Sequence, residues 1–316
     1  MTLATLTSVL EAELPGRVQR DRPLAPLTTY RLGGPAALLF EPGSGEDVTL
    51  AARALRAAAD VPVLVLGRGS NTVVSDDGWP GLVIHVGPDL SWAEVGDEET
   101  MVLAGAGTSL PQLANWTARR GLTGLEFLVS IPGSVGGGVR MNAGAHGGEI
   151  ADHLVSATAL DLGALTVEEV PRDRLEMSYR RSALGPGHVV LAARFSLETA
   201  PRAAIRERME SYRRHRAETQ PGAASNAGSV FKNPPGDHAG RLVEAAGLKG
   251  FTVGGARVSE KHANFFVAGP GASAQDVYDL VHAVRAKVKA ASGVELDPEV
   301  RFAGAFREPA PAGAEA

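Results

Sequence analysis

We expect this chain to adopt an α+β fold with more than one domain. Its 316 residues exceed the length of one ordinary domain. The segment 36–66 has the pattern of a strand, a helix and a second strand, whereas the segment 81–198 contains mostly short β segments. A basic, alanine-containing helix from about Ala203 to Thr219 then precedes a different α/β pattern. This change indicates a domain boundary near residue 205.

The first strand–helix–strand unit ends at a glycine turn. Ala36–Phe40 is predicted as a short apolar strand, Glu46–Asp60 as an amphipathic helix, and Val61–Leu66 as a buried strand. The turn Gly67–Asn71, with the sequence GRGSN, follows directly. Because the carboxyl end of a parallel strand offers a crevice for a ligand, this turn is a candidate binding element.

One helix interrupts the short β segments of the middle region. Thr108 is its predicted N-cap, Pro111 lies in its first turn, and Gly121 is its predicted stop. The β segments around it are expected at Leu82–Val86, Met101–Ala104, Leu154–Leu160 and Val189–Leu197.

The last third of the chain predicts helices that pack over short strands. Asp237 is expected to cap a helix that ends at Gly247. Ser273 and Asp276 have the spacing of a capping box and predict the start of a long helix that stops at Gly293. The strands are expected at Val253–Val258, Phe265–Val267 and Val300–Phe302.

The composition excludes several classes of chemistry. Cysteine is absent, which excludes disulfides, thiolate metal sites, iron–sulfur clusters and a cysteine nucleophile, so redox chemistry would need an organic cofactor. The net charge of −5 and the pI near 5.9 give no overall attraction for nucleic acid. Since no grouping of histidine and acidic residues has convincing metal-ligand spacing, no metal is predicted.

The chain termini and the apolar runs predict a cytoplasmic protein without a membrane partner. The first twenty residues carry two glutamates and lack the long apolar core of a secretory signal. Apolar runs such as Val61–Leu66 are far too short to cross a bilayer. The tail Glu308–Ala316 is rich in proline, alanine and glycine and is expected to be disordered.

The glycine-rich segment Ile131–Ile150 is the most informative part of the sequence. Such a segment permits positive-φ turns and lets main-chain N–H groups converge on an anionic oxygen, which suits a phosphate-bearing ligand. Together with the Gly67–Asn71 turn it predicts one extended diphosphate ligand. A second short glycine turn begins at Gly105, with the sequence GAGTSL. Either short turn alone is more typical of an ordinary tight loop. Neither turn has the third glycine of the dinucleotide fingerprint, which argues against a Rossmann nicotinamide domain. The glycines of the segment are Gly133, Gly136, Gly137, Gly138, Gly144, Gly147 and Gly148.

Two polar segments contain candidate side chains for an anionic substrate. Ser229 follows a glycine and is flanked by an amide and an ammonium group that can hydrogen-bond an anion, although a polar loop before Pro234 is equally expected from these residues alone. Arg180, beside Tyr179, can bind a carboxylate or phosphate through two parallel hydrogen bonds, although a solvated charged turn is at least as typical.

Three further groups of polar residues stay open at this point. The arginines of the basic helix usually form a solvated face, but they could meet a diphosphate. His262 precedes two phenylalanines, where a lone histidine is more often structural than a ligand. Glu295 and Glu299 lie near the end of the chain, and either could be a surface carboxylate.

A set of motifs in fixed order resembles one enzyme family. In chain order the motifs are GRGSN, GLTGLEFLVSIPGSVGGGVRMNAGAHGG, SYRRS, QPGAASNAGSVFKNP, AGLKGFTVGGARVSEKHANFF and VELDPEVRFAG. Between about Thr28 and Gly304 this set is similar to that of UDP-N-acetylenolpyruvoylglucosamine reductases, the MurB family of bacterial peptidoglycan synthesis. The resemblance implies an FAD-binding region of the vanillyl-alcohol-oxidase or PCMH type, built of two α/β subdomains, and then a smaller α/β substrate-binding domain. We expect the two subdomains at residues 1–79 and 80–204, the substrate-binding domain at 205–307 and the tail at 308–316.

The resemblance also implies an activity and a mechanism. NADPH would reduce bound FAD, and the enolpyruvyl ether of UDP-N-acetylglucosamine would then be reduced to UDP-N-acetylmuramate. Hydride would pass from flavin N5 to substrate C3, and Ser229 would donate the proton to C2, with Arg180 and Glu299 as catalytic companions. The alternatives are an FAD-dependent oxidase of the vanillyl-alcohol-oxidase superfamily and a nucleotide-sugar binding protein that has lost turnover.

By the same resemblance we expect two sets of binding residues and a monomer. The short interval between Arg181 and the strand from Val189 leaves no room for a tyrosine-bearing loop, so the chain resembles the shorter, loopless type of the family. The FAD-binding residues are expected to be Gly67, Arg68, Gly69, Ser70, Asn71, Pro132, Gly133, Ser134, Gly136, Gly137, Asn142 and Gly144. The substrate-binding residues are expected to be Lys232, Asn233, His262, Arg213 and Arg216.

Overall fold

The structure, a computed structural model, describes residues 2–58, 60–222 and 225–309. The predicted disordered tail lies outside the described residues except for Glu308 and Pro309. The helices of the described part are α1 (Leu3–Glu13), α2 (Gly45–Arg56), α3 (Leu110–Arg120), α4 (Val135–Met141), α5 (Arg202–Thr219), α6 (Ala239–Ala245) and α7 (Ala274–Ser292).

Short strands lie between most of these helices, so the predicted α+β class is confirmed. The strands are β1 (Val18–Pro23), β2 (Pro35–Phe40), β3 (Val63–Leu66), β4 (Thr72–Val74), β5 (Trp79–His85), β6 (Ala93–Val95), β7 (Met101–Gly105), β8 (Leu122–Thr123), β9 (Gly144–Ala145), β10 (Gly148–Glu149), β11 (Leu154–Asp161), β12 (Thr166–Pro171), β13 (His188–Ser196), β14 (Glu198–Thr199), β15 (Thr252–Val253), β16 (Ala256–Val258), β17 (Phe266–Ala268) and β18 (Arg301–Ala303). No described helix is long and apolar enough to cross a membrane.

Helix α7 begins and ends as its sequence predicts. The Ser273 hydroxyl accepts the N–H of Asp276, and the Asp276 carboxylate accepts the N–H of Ser273. Gly293 closes the helix in the left-handed conformation, with φ of 74°. Helix α2 also forms as predicted, although it ends at Arg56, before the predicted end at residue 60.

Three local predictions are wrong. Helix α3 is capped by Ser109, because the Thr108 hydroxyl donates instead to the carbonyl of Trp92 at 2.8 Å. Helix α6 has His238 as its N-cap, because the Asp237 carboxylate accepts the His238 N–H at 2.6 Å and pairs with an arginine of the helix. The predicted strand over 253–258 is a hairpin of β15 and β16, since Gly254 turns the chain with φ of 53°.

The chain divides into two compact units, whose ranges interleave along the sequence. Unit 1 comprises Met1–Asp21, Leu38–Arg68 and Gly81–Arg216, and unit 2 comprises Arg22–Ala37, Gly69–Pro80 and Ala217–Ala316. This grouping assigns most of helix α5 to unit 1 and two N-terminal segments to unit 2. The division into two FAD-binding subdomains and a substrate-binding domain stays a prediction.

Unit 1 is built around an antiparallel sheet of five strands in the order β12-β11-β13-β7-β6. Strands β3 and β5 pair in parallel, as expected for the strand that leads into the glycine turn. One contiguous apolar core joins these strands to helices α1 to α4, and Leu6, Leu113 and Phe195 are fully buried in it.

Unit 2 has its own core beneath helix α7. The apolar face of α7 is completely buried against Phe231 and Phe266, whose rings meet edge to face at 5.8 Å. The Tyr30 hydroxyl donates to the Phe266 carbonyl at 2.9 Å, and complete burial raises the pKa of this tyrosine. Strands β4 and β18 pair in parallel, so the residues after the GRGSN turn lie beside the residues after Glu299.

A buried carboxylate makes unit 1 sensitive to pH. The Glu126 side chain is 8% exposed, and it accepts hydrogen bonds from Thr123, Arg208 and the N–H of Gly124. Burial alone would raise the pKa of Glu126, but these hydrogen bonds outweigh it and hold the pKa below the usual value of 4.5.

We expect Glu126→Gln to destabilise the protein in a pH-dependent way. Because the folded-state pKa is depressed, the carboxylate stabilises the fold above the unfolded pKa of 4.5 and stops doing so as pH falls through the folded value. The variant should therefore unfold at a lower temperature than the parent at neutral pH. This difference in unfolding temperature, the gap, should narrow in acid. Thermal unfolding across the acidic range measures this gap, and a gap that widens on acidification would contradict the assignment.

Candidate functional site

The glycine-rich segment of unit 1 lies against the loop that precedes helix α3. The N–H groups of Val135 and Gly136 donate to the carbonyls of Thr108 and Ala106 at 2.8 and 2.9 Å. The Gly133 carbonyl accepts the N–H of Leu110 at 3.0 Å. The start of α4 is therefore fixed by main-chain hydrogen bonds to its neighbours.

Several glycines of this segment are required by packing within the protein. A Cβ on Gly136 would lie 3.0 Å from Cβ of Ala106, and a Cβ on Gly138 would lie 2.7 Å from Cδ1 of Ile150. A Cβ on Gly144 would lie 2.7 Å from the Gly148 carbonyl oxygen. Close packing of α4 and of β9 on β10 thus explains part of the glycine density that the sequence suggested was for a ligand.

Gly137 differs from these glycines, because it leaves room that the protein does not fill. Among the described residues, a Cβ on Gly137 would meet only Ser134 Oγ, at an ordinary 3.7 Å. Ser134 is the N-cap of α4 and makes no side-chain capping hydrogen bond. A Cβ on Gly67 would lie 2.5 Å from the same hydroxyl, so the two bare backbones approach each other there. The residues present therefore fit the expected FAD, which needs close backbone approach.

We expect Gly137→Val to weaken FAD retention while the protein stays folded. Valine is a better helix former than glycine, and the protein itself offers space for the side chain, so a loss of flavin would indicate that the ligand uses this space. The ratio of flavin to protein absorbance after purification measures retention. Gly187→Val is the matched control, because a Cβ there meets nothing within 4 Å. Full flavin occupancy in Gly137→Val would contradict this role for the segment.

Asn142 holds the turn that carries Arg180. It is fully buried at the C-cap of α4, where its amide donates to the Ser178 carbonyl at 3.0 Å and accepts the Ala151 N–H at 2.9 Å. Ser178 and Arg181 exchange two main-chain hydrogen bonds of 3.0 Å, which leaves Tyr179 and Arg180 at the tip of the turn. The sequence suggested Asn142 for FAD, but its side chain is committed to this turn.

The Arg180 side chain is oriented from two sides. Its Nη2 donates to the Gly144 carbonyl at 2.8 Å, and its guanidinium carbon lies 4.9 Å from the centroid of the Tyr179 ring. The Arg180 backbone has φ of 55°, a left-handed conformation that is uncommon for a side chain of this size. Such a strained tip is typical of a functional residue.

A cluster that sequence reasoning missed surrounds Ser130, at the start of the glycine-rich segment. The Ser130 hydroxyl lies 3.0 Å from Nε2 of His146, and the Ser130 carbonyl accepts a hydrogen bond from Arg216. The His146 ring stacks on Tyr212 at 4.2 Å. Burial, followed by the charges of His215 and Arg216, lowers the pKa of His146. The only sequence signal was the place of His146 in the AHGG motif.

The GRGSN turn is divided between the two units. In unit 2, Gly69 has φ of 57°, and a Cβ there would clash with the Leu27 carbonyl oxygen, so glycine is required. The Asn71 amide donates to the Glu299 carbonyl at 3.1 Å, and the Asn71 carbonyl accepts the N–H of Arg301 at 2.9 Å. Asn71 therefore fixes the main chain on both sides of the Glu-Val-Arg motif.

Ser229 and Glu299 lie on adjacent segments of unit 2. Ser229 bridges Phe265 in antiparallel fashion, and the Glu299 N–H donates to the Val230 carbonyl at 2.7 Å. Both residues are half-buried. The backbone thus brings together two of the three residues that the resemblance assigns to catalysis, while the third, Arg180, belongs to unit 1.

Glu295 and Glu299 occupy different surroundings. Glu295 is exposed and pairs with Arg285 and with Lys289, the latter at 2.8 Å. These two cations lower the pKa of Glu295, with the hydrogen bond from Lys289 as the largest cause. Glu295 is therefore a partner of helix α7, which leaves Glu299 as the carboxylate beside the Ser229 segment.

The predicted substrate-binding residues are distributed over both units. In unit 2, Lys232 pairs with Asp297 at 2.7 Å, and Oδ1 of the Asn233 side chain accepts the Ala239 N–H at 3.1 Å. His262 Nδ1 accepts the Asn264 N–H at 3.2 Å, and burial lowers the pKa of His262, so the ring is neutral near pH 7. In unit 1, Arg213 binds the Asn115 side chain at 3.0 Å, and Arg216 binds Ser130 as described above.

No group of three or more histidine, cysteine or acidic side chains within 2–58, 60–222 and 225–309 could hold a metal ion.

Two segments of the chain match known protein families. Residues 36–168 match the model of an FAD binding domain, and residues 220–303 match the C-terminal domain of UDP-N-acetylenolpyruvoylglucosamine reductase.

The similar proteins cover nearly the whole chain. A UDP-N-acetylenolpyruvoylglucosamine reductase of Bradyrhizobium sp. (strain ORS 278) is 42% identical over 307 residues, which are 96% of this chain and 99% of that protein. The corresponding reductase of Bacillus subtilis (strain 168) is 42% identical over 295 residues, 92% of this chain and 96% of that protein. The crystal structure of the Thermus caldophilus enzyme is 37% identical, with a TM-score of 0.77 over 91% of this chain and 99% of that chain. This chain belongs to the UDP-N-acetylenolpyruvoylglucosamine reductase family.

Proposed function

We propose that this chain reduces the enolpyruvyl ether of UDP-N-acetylglucosamine to UDP-N-acetylmuramate with electrons from NADPH. The observation that carries the proposal is the pairing of the Ser229 and Glu299 segments in unit 2, where the Glu299 N–H lies 2.7 Å from the Val230 carbonyl. Protonation of an enol-type carbon needs a positioned general acid, and the two paired segments carry a hydroxyl and a carboxyl group. The resemblance of the motifs that contain Ser229 and Glu299 to those of the family, and the match to the C-terminal domain, support the proposed activity.

The proposed reaction adds a hydride to C3 and a proton to C2 of the enolpyruvyl double bond. Bound FAD would supply the hydride from N5 after it has taken one from NADPH. The electron pair of the double bond then moves toward C2 and the substrate carboxylate, where positive groups stabilise it. Ser229 donates the proton to C2. A serine hydroxyl is a weak acid, but the enol-type carbon is a strong base, and nearby cations lower the cost of the alkoxide.

Arg180 and Glu299 are the proposed companions of Ser229. The Arg180 guanidinium, oriented by Gly144 and Tyr179, pairs with the substrate carboxylate and stabilises the developing charge. Glu299, whose main chain is held by Asn71, can hydrogen-bond the developing enol when its carboxyl group is protonated. Tight main-chain control of both residues suits a reaction that depends on alignment.

We assign the flavin to bare backbone and the UDP group to polar side chains. Asn142 and Gly144 also support the Arg180 turn. The FAD-binding residues proposed are Gly67, Arg68, Gly69, Ser70, Asn71, Pro132, Gly133, Ser134, Gly136, Gly137, Asn142 and Gly144. Lys232, Asn233 and His262 from unit 2, and Arg213 and Arg216 from unit 1, are proposed for the substrate. To bind a phosphate, the Lys232 ammonium group must either leave Asp297 or contact Asp297 and the phosphate together.

Anaerobic stopped-flow measurement of the flavin absorbance tests the proposal. NADPH alone should bleach the flavin, and the enolpyruvyl substrate should then restore the oxidised band with formation of UDP-N-acetylmuramate. If the reduced protein is reoxidised by oxygen but not by the enolpyruvyl substrate, the alternative oxidase is correct. That alternative is not favoured, because the relatives that span the chain are named as reductases.

We further propose that the protein acts as a cytoplasmic monomer without nucleic-acid partners. The negative net charge, which gives no overall attraction for nucleic acid, supports the absence of nucleic-acid partners. Light scattering of the purified holoenzyme measures the mass, and a dimer at working concentration would contradict the monomer.

A further inference from the structure

The main chain beside Ser229 is held by a buried amide that none of the site assignments uses. Asn264 is 3% exposed and lies in unit 2, next to the bridge between Ser229 and Phe265. Its side chain accepts the Phe231 N–H at 3.0 Å and donates to the Phe231 carbonyl at 2.8 Å. The Asn264 side chain therefore pairs with Phe231 as a neighbouring strand would.

The pairing of Asn264 with Phe231 completes the main-chain hydrogen bonding of the segment after Ser229. The Asn264 carbonyl accepts the Val230 N–H at 2.9 Å, and the Val230 carbonyl accepts the Glu299 N–H at 2.7 Å. All four main-chain polar groups of Val230 and Phe231 are thus engaged, three of them by Asn264. Since the groups are buried, any of them left unpaired would force the segment to move.

An amide makes this pairing at every pH. It presents a donor and an acceptor in one plane, whereas an ionised carboxylate has acceptors alone and an aliphatic side chain has neither. Asn264 lies in the turn before β17, where its own N–H donates to His262 Nδ1 at 3.2 Å. The position therefore requires the chemistry of asparagine rather than its volume.

We propose that Asn264 is a positioning residue for proton transfer from Ser229 to the substrate. It fixes the two residues that follow Ser229 and thereby sets where the hydroxyl stands relative to Glu299. The inference rests on the proposed function, because it assumes that Ser229 is the donor. Misplacement by about 1 Å can cost on the order of 10²-fold in rate, so a small shift is enough to be measured.

The substitution Asn264→Asp tests the proposal through a new pH dependence. It keeps the shape and the acceptor for the Phe231 N–H, but its second oxygen can donate to the Phe231 carbonyl only when the carboxyl is protonated. We expect reoxidation of the reduced holoenzyme by the enolpyruvyl substrate to fall by up to about 10²-fold at alkaline pH and to recover in acid, relative to the parent. Flavin reduction by NADPH should follow the parent at every pH.

Hydrogen–deuterium exchange supplies a readout that does not depend on turnover. In the holoenzyme without substrate, peptides that cover residues 228–232 should exchange faster in Asn264→Asp than in the parent at alkaline pH, and at the parental rate in acid. Ser259→Ala is the control for simple destabilisation, because Ser259 Oγ accepts the N–H groups of Lys261 and His262, outside the pairing of Asn264 with Val230 and Phe231. It should lower the unfolding temperature without creating a new pH dependence.

The outcomes separate this inference from the proposed function. If Ser229→Ala reoxidises at the parental rate, Ser229 is not the donor and the proposed function fails. If Ser229→Ala is slow but Asn264→Asp matches the parent at every pH, or loses both half-reactions equally, the positioning role is wrong. If Asn264→Asp binds too little flavin for these measurements, Asn264→Gln replaces it. The longer side chain moves both the donor and the acceptor of the amide outward, so Asn264→Gln should slow reoxidation but not flavin reduction. Equal slowing of both half-reactions in this variant would overturn the positioning role.

Discussion

Ser229→Ala should slow the reoxidation of reduced flavin by the enolpyruvyl substrate by about 10²- to 10⁴-fold, the range that removal of a general acid produces. Flavin reduction by NADPH should be nearly unchanged, because no proton from Ser229 is needed in that step. The hydroxyl is the only group that the substitution removes, and the Val230 main chain keeps its partners. Single-turnover measurement of each half-reaction by flavin absorbance gives the two rates.

A control serine separates this effect from general damage. Ser211→Ala removes an exposed hydroxyl on helix α5 that bonds only its own helix, so both half-reactions should match the parent. Equal slowing of the two half-reactions in Ser229→Ala would show that Ser229 supports the site without donating the proton.

Glu299→Gln should have the second-largest effect, again confined to reoxidation. The amide keeps the shape of the carboxyl but cannot donate a proton as an acid or stabilise the enol in the same way. We expect a loss of about 10²-fold or more, within the range for acid–base groups. The main-chain bonds from Asn71 and to Val230 do not involve the side chain, so the fold should be preserved.

Glu295→Gln is the matched control, four residues earlier in the chain. Its carboxylate is 49% exposed and pairs with Lys289 and Arg285 at the surface, so its loss should change stability and activity little. Activity loss in Glu295→Gln with a mild Glu299→Gln would reassign the carboxylate. Comparison of thermal unfolding with half-reaction rates in the two variants decides the point.

Elements governed by local chemistry could be predicted from the sequence. The capping box of Ser273 and Asp276 and the stop at Gly293 are read directly from residue types, and the structure has both. Thr108 and Ser109 show the limit of such reasoning. Both can cap a helix, and the choice depends on the Trp92 carbonyl, which is sixteen residues away and invisible in the local pattern.

The composition of the candidate site was less predictable than the fold. Asn71 was read as part of a ligand-binding turn, because the GRGSN pattern describes only local backbone. Its side chain in fact bonds a carbonyl 228 residues further along the chain. Asn264 gave no signal at all, since a pairing between a side chain and a distant main chain has no sequence period. Motif order located Ser229 and Glu299, and long-range pairing then supplied the residues that hold them.

The glycine-rich segment shows how one residue type can serve two purposes. Gly136 and Gly138 are needed because α4 packs closely on Ala106 and Ile150, whereas Gly137 faces unfilled space. The sequence cannot distinguish the three, because the difference depends on which side of a short helix meets the core.

The parallel pairing of β4 with β18 has a consequence for biosynthesis. Residues 72–74 leave the ribosome more than 220 residues before their strand partner, residues 301–303. Strand β4 must therefore wait for this partner while most of unit 1 is synthesised. During that interval an exposed strand edge is available to other nascent chains, which makes the protein a candidate client of chaperones that bind extended segments.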